Sequence, residues 1–232
     1  MITKRKSALI AGITLLVMSV AAFFAYGYAH TTLVVHGNPD ATFKNLTSMD
    51  MLFRLEVLGW LLIFLCDVVV AWALYVFLKD ISNSLSLLTA WLRLAYAALL
   101  GIAIFNFIPI LNILETDQGE TTYMAARQVM SGLRSFEGMW SLGLIVFGFH
   151  LLLLGYLALI SGYIHRIFGI LILIAAAGYL FVHVSRLLFA DFQEQIGTIE
   201  TILSVPMALG EIAFAIWLLV RGGRTAREPV RD

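Results

Sequence analysis

Residues 51–78 read MLFRLEVLGWLLIFLCDVVVAWALYVFL, an apolar run with charge only at Arg54 and Glu56 near its start and Asp67 near its middle. A helix needs about 20 apolar residues to cross a hydrocarbon core of roughly 30 Å at about 1.5 Å per residue. This run is long enough to do so. Working outward, five further runs qualify or come close, at about 7–28, 85–110, 139–160, 167–188 and 202–220. The runs at 51–78 and 85–110 exceed the minimum, so they tilt or project into the interface.

Composition agrees. The 232 residues are 61% hydrophobic and 13% charged, with a mean hydropathy of +0.92. Soluble domains average about 45–50% apolar and about 25% charged, so the bilayer must act as solvent for most of this surface. A formal net charge of +0 removes the electrostatic case for nucleic acid. Cys66 is the only cysteine, which excludes an intrachain disulfide and a cysteine-based metal motif. The expected fold is all-α. It is a polytopic membrane protein, one integral domain over 1–232, with a bundle of about six transmembrane helices and a short amphipathic external helix.

The first run follows Lys4, Arg5 and Lys6 like a signal peptide, but its apolar stretch exceeds the usual ~7–15 residues. It reads as a retained helix. Lys4, Arg5, Lys6, Lys79, Arg166, Arg221, Arg224, Arg227 and Arg231 fall on one side. Lys44, Arg127, Arg134 and Arg186 fall on the other, with Arg54 near a helix mouth. The richer side is cytoplasmic, which places both termini inside an inner (plasma) membrane. Most acids fall outside: Asp40, Asp50, Glu115, Asp117, Glu120, Glu137, Asp191, Glu194 and Glu200. The connections near 79–84 and 161–166 are tight, so the helices they join form antiparallel hairpins. Ala126, Val129, Met130, Leu133 and Phe136 recur at helical spacing and predict the amphipathic helix, lying on the outer surface or capping the bundle mouth.

Four ionisable residues interrupt the middles of separate runs: Asp67, Arg93, His150 and Glu211. Helix rise puts Asp67 roughly 18 Å from Lys79, Glu211 roughly 15 Å from Arg221 and Arg93 roughly 12–15 Å above the first inner turn. They fall near one layer and are expected to face a common interior, because charge at the bilayer centre is costly. Arg93 needs an acceptor, and Asp67 and Glu211 are the candidates. The carboxylate left over in low dielectric should take up protons more readily than a free acid or share a proton with His150, and a carboxylate and an imidazole titrating together are the parts of a relay. The competing reading is a buried pair that only sets helix register. Nearer the outside, Glu56, Asn106 and His183 suggest a polar vestibule, while Arg54 and Arg186 snorkel. Pro206 on the last helix and Pro109 beside Asn106 are helix breaks that line a cavity or merely bend the chain.

Other signals are weak. His30, His36 and Asp40 lack metal-ligand spacing and read as a solvated loop. Asn45-Leu46-Thr47 matches a glycosylation acceptor, and no H-E-x-x-H, G-x-S-x-G or phosphate loop occurs. Zinc shared by Asp67, His150 and His183 fails, because the two histidines should lie about 10 Å apart along the membrane normal. No metal or cofactor is called for.

The stretches LFRLEVLGWLLIFLCDVVVAWALYVFLKDISNSLSLLTAWLRLAYAAL, FGFHLLLLGYLALISGYIHRIFGILILIAAAGYL and VPMALGEIAFAIWLLVRG together resemble the bacterial family called domain of unknown function 4386. The matching positions include Arg54, Asp67, Arg93, His150, Gly155, Tyr156, Pro206 and Glu211. The resemblance implies a multi-pass inner-membrane protein and supplies no activity. Function therefore rests on the polar layer. It binds or relays a small ligand or a proton; alternatively it organises a structural or regulatory subunit; a third reading is an intramembrane acid–base enzyme. The expected partners are the lipid bilayer and that ligand or proton, and the pattern leaves the oligomeric state open.

Overall fold

A computed structural model describes residues 3–116 and 123–223. Of the positions discussed above, Asp117, Glu120, Arg224, Arg227 and Arg231 lie outside the described residues. The described residues contain helices and no strand. We number the helices α1 (Lys4–Leu33), α2 (Pro39–Ser48), α3 (Asp50–Leu78), α4 (Asn83–Glu115), α5 (Tyr123–Ile160), α6 (Arg166–Leu188) and α7 (Gln193–Val220). All but α2 are long and apolar enough to cross a membrane. The chain is a multi-pass membrane protein.

Each long helix packs on the next, and α1 closes against α7, so the six form a ring. The ring is fastened on the face where α1 begins and α7 ends, here the terminal face. Arg5 donates from Nη1 to the carbonyls of Leu218 (3.1 Å) and Gly222 (2.8 Å), and from Nη2 to that of Leu219 (2.6 Å). The last carbonyls of a helix have no partner within it, and a guanidinium there satisfies them and complements the dipole. Lys4 lies 3.9 Å from the Tyr163 ring centroid and 3.6 Å from Asp80. Tyr163 donates to the Phe77 carbonyl at 3.3 Å, tying the two hairpin turns together. The α3–α4 turn is short because Ser82 caps α4 through the Leu85 amide. In the α5–α6 turn, Gly162 takes a positive φ of 73°, a conformation other residues adopt only with strain.

Lipid tails are as apolar as leucine, so helices in a membrane associate through close packing at small residues. The α5–α6 contact follows this rule. A Cβ on Gly148 would meet Leu180 Cγ at 2.8 Å, and one on Gly155 would meet Leu173 Cγ at 2.8 Å and the Gly169 carbonyl at 3.1 Å. The heptad spacing of these glycines cuts one groove along α5 that receives α6.

At the opposite, distal face the ends are less regular. α1 does not stop near residue 28. It winds on as a π-helix over Phe23–His30 and ends at Leu33. The amphipathic helix anticipated around 126–136 forms and runs without a break into the fourth span. α5 has 38 residues, about 57 Å at 1.5 Å each, so much of its first half lies beyond a ~30 Å core. Its Ala126, Val129, Met130, Leu133 and Phe136 are buried against the protein, Phe136 packing on Trp60 of α3 and Phe107 of α4. Pro109 cannot donate to the Phe105 carbonyl, and α4 tightens there into i→i+3 bonds at Phe105, Asn106 and Ile108. Asn106 spends its amide on the Ala103 carbonyl at 2.9 Å. Pro206 sits inside α7 with its side chain exposed.

Candidate functional site

α3, α4 and α5 bring Asp67, Arg93 and His150 together in the ring's interior, exposed by 0%, 1% and 1%. Arg93 Nη2 stands 2.7 Å from Asp67 Oδ1, and Nη1 stands 3.1 Å from His150 Nε2. His150 Nδ1 lies 2.9 Å from the Thr89 carbonyl, one turn before Arg93 on α4. These contacts determine the imidazole tautomer. Thr89 O can only accept and Arg93 can only donate, so Nδ1 carries the hydrogen and Nε2 offers its lone pair. His150 is therefore held neutral with both nitrogens committed. It does not face the spare carboxylate, contrary to the pairing expected from depth alone: helix rotation turns it toward α4.

Arg93 is gripped further. Nη2 also approaches Met18 Sδ of α1 at 3.6 Å, and the guanidinium lies 5.2 Å from the Phe147 ring centroid. Even so, the polar set is incomplete. The 2.7 Å approach is a close charge contact with poor angles for a hydrogen bond. Both Asp67 carboxylate oxygens and Arg93 Nε are buried with no hydrogen-bond partner among the described residues.

Glu211 on α7 is half-buried and has a different partner, accepting from Tyr179 Oη of α6 at 3.1 Å. Arg93 and Glu211 line one small cavity of about 10 Å³, walled by Leu15, Leu74, Leu154 and Phe214. A water needs roughly 10–15 Å³ by this measure, so the space suits a single water.

Residues 10–222 match the family model described as domain of unknown function (DUF4386). The chain belongs to the DUF4386 family. It is also similar to an uncharacterized protein of Archaeoglobus fulgidus, 32% identical over 167 residues, which span 72% of this chain and 83% of that one. No solved structure matches.

In this DUF4386 member the outer residues Glu56, Asn106 and His183 do not converge. His183 takes a hydrogen bond with Ser141 Oγ at 2.9 Å and stacks on Tyr179. Asn106 reaches Met139 Sδ at 3.3 Å besides the Ala103 carbonyl. Glu56, fully buried, belongs to a cluster that the sequence did not reveal. His30 Nδ1 lies 2.7 Å from Glu56 Oε1, and His30 Nε2 lies 3.0 Å from Glu137 Oε1. Trp60 Nε1–H donates to Glu56 at 3.3 Å. His30 is 2% exposed rather than solvated, because the π-helical turn carries the first span past residue 28 and turns the imidazole inward. Glu137 is one-third exposed and lies within α5. The clue in the sequence is that Leu33, Val34 and Val35 keep the apolar pattern going beyond His30. Tyr26, Trp60, Phe136 and Trp140 pack edge to face beside this cluster. Among the described residues no group of three or more His, Cys, Asp or Glu is arranged to hold a metal ion.

Proposed function

We propose that this membrane protein binds and relays protons through its central layer, in the manner of a small transporter. The observation that carries the reading is a charge count. One cation, Arg93, serves two carboxylates: it touches Asp67 at 2.7 Å and shares a cavity the size of one water with Glu211. An uncompensated charge in a low-dielectric interior is costly, and the group neutralises instead. The layer balances when a single proton is shared between the two acids. The space supports a proton or water as the cargo over a larger molecule. In this reading Arg93 and His150 are fixed elements that hold the field, and Asp67 and Glu211 exchange the proton. We further propose that both termini are cytoplasmic in a plasma membrane, on the strength of Lys4, Arg5, Lys6, Lys79 and Arg166 lying together at the terminal face.

The excess of carboxylate over cation favours this account over a purely structural staple, which needs only one acid for Arg93. The test is infrared difference spectroscopy of the carboxylic C=O stretch with proton flux in liposomes under an imposed pH gradient. Wild type should show a protonated-carboxyl band and discharge the gradient faster than empty liposomes. Asp67→Asn and Glu211→Gln should each alter the band and slow the flux. A wild-type protein with no such band and no flux above empty liposomes overturns the proposal and leaves the staple.

A further inference from the structure

The Glu56–His30–Glu137 cluster lies apart from the central layer and requires a proton count of its own. A hydrogen bond needs one hydrogen on each N···O line, and both lines are short, at 2.7 and 3.0 Å. A carboxylate can only accept, and a neutral imidazole donates from only one nitrogen. Two such bonds therefore require either an imidazolium between two carboxylates or a neutral imidazole with one protonated glutamate. Both states carry one more proton than a neutral histidine with two ionised acids. We infer that His30, Glu56 and Glu137 form a second proton-binding site, whose proton clamps the distal end of α1 to α3 and α5.

The surroundings agree. Glu56 is fully buried, and its second oxygen, Oε2, has no hydrogen-bond partner among the described residues. Its bond to His30 is sealed under Trp60. Glu137 is the exposed end, so the exchangeable proton is the one on the His30–Glu137 line and it passes to and from distal water. When it leaves, the Nε2 lone pair faces a carboxylate. That bond becomes a repulsion, and α1 is freed from α5. The segment that would move is the π-helical Phe23–His30, a geometry common at functional sites.

Tyr26 stacks on His30 from the same helix, at 5.6 Å between centroids. His36 follows α1 and acts on Glu137, as does Arg186 of α6. Arg186 is itself paired with Glu200 of α7. Asp40 and Lys44 on α2 are exposed. None of these makes a hydrogen bond or ion pair with His30 that could replace either glutamate. The clamp is thus the protonated form, present at lower pH and lost as pH rises through its deprotonation.

The test uses the full chain in lipid nanodiscs with Cys66→Ala and a reporter at Ala29→Cys, which is fully buried beside His30. Labelling by a membrane-impermeant maleimide is followed from pH 5 to 9. It is normalised to Thr32→Cys, an exposed position, to remove the thiol's own pH dependence. Protection should hold at low pH and fall by several-fold on the alkaline side. Glu137→Gln replaces the titrating proton by an amide N–H that donates to Nε2, so it should stay protected throughout. Glu137→Ala should label at all pH values. Labelling of the parent that does not change with pH, or a Glu137→Gln profile identical to the parent, overturns the inference. Neither result bears on the carboxyl band of the central layer, so the two proposals stand or fall separately.

Discussion

Replacing Arg93 by methionine keeps most of the side chain's volume and deletes its charge. The structure dictates a large effect. Asp67 is fully buried and, among the described residues, its one counter-charge within contact distance is Arg93 at 2.7 Å; His150 Nε2 loses its donor in the same step. Breaking one half of a buried pair costs about 3–5 kcal/mol, because a charge is stranded in low dielectric. For a chain of this size each kcal/mol shifts the melting temperature by about 2–4 °C. The expected fall for Arg93→Met is therefore roughly 6–20 °C, measured by thermal unfolding in detergent at neutral pH. Adding Asp67→Asn removes the stranded charge, and the double variant should recover to within about 1–2 kcal/mol of wild type, since neutral replacement of a buried pair is often tolerated. The cycle isolates the pair because the two residues touch. A single variant that melts with wild type, or a double variant no better than the single, would refute the reasoning. The charge would then be relieved by solvent or by a partner other than Arg93.

Two more outcomes follow from the fold. Gly155→Val should destabilise by about 1–3 kcal/mol through overpacking, since its Cβ would meet Leu173 Cγ at 2.8 Å and the Gly169 carbonyl at 3.1 Å; Gly138→Val, with nothing within 4 Å, is the matched control in the same melting assay. Reporter fusions near Ser82 and after Val220 should report the same compartment, and fusions at Asp40 and Gln193 the opposite one; a C-terminal fusion on the Asp40 side would require a missing or extra span.

The spans were legible because hydropathy summed over about 20 residues is a strong signal. It does not depend on what the helix touches. Where the signal failed, burial came from protein instead of lipid. Residues 28–33 include a tyrosine, a histidine and two threonines, so they read as a loop. Nonetheless His30 is enclosed, because α3 and α5 supply carboxylates for its two nitrogens. Glu137 reads only as an acid on the outer side for the same reason: its charge is visible in the sequence and its partner is not.

Within the central layer, depth came from counting residues at constant rise. That was enough to put Asp67, Arg93, His150 and Glu211 at one level. Direction around each helix axis did not follow from it. Rise is a property of the backbone alone, whereas azimuth is set by how neighbouring helices pack. Gly148 and Gly155 admit α6 to α5, and Arg5 locks α1 to the end of α7. Only that packing gave Arg93 to Asp67 rather than to Glu211, turned His150 toward Arg93 and left Glu211 to Tyr179. The chain's own residues determined that it crosses the membrane with a charged middle. Tertiary structure decided which charges meet, because a charge partner across a bundle is chosen by rotation, and rotation leaves no period in the sequence.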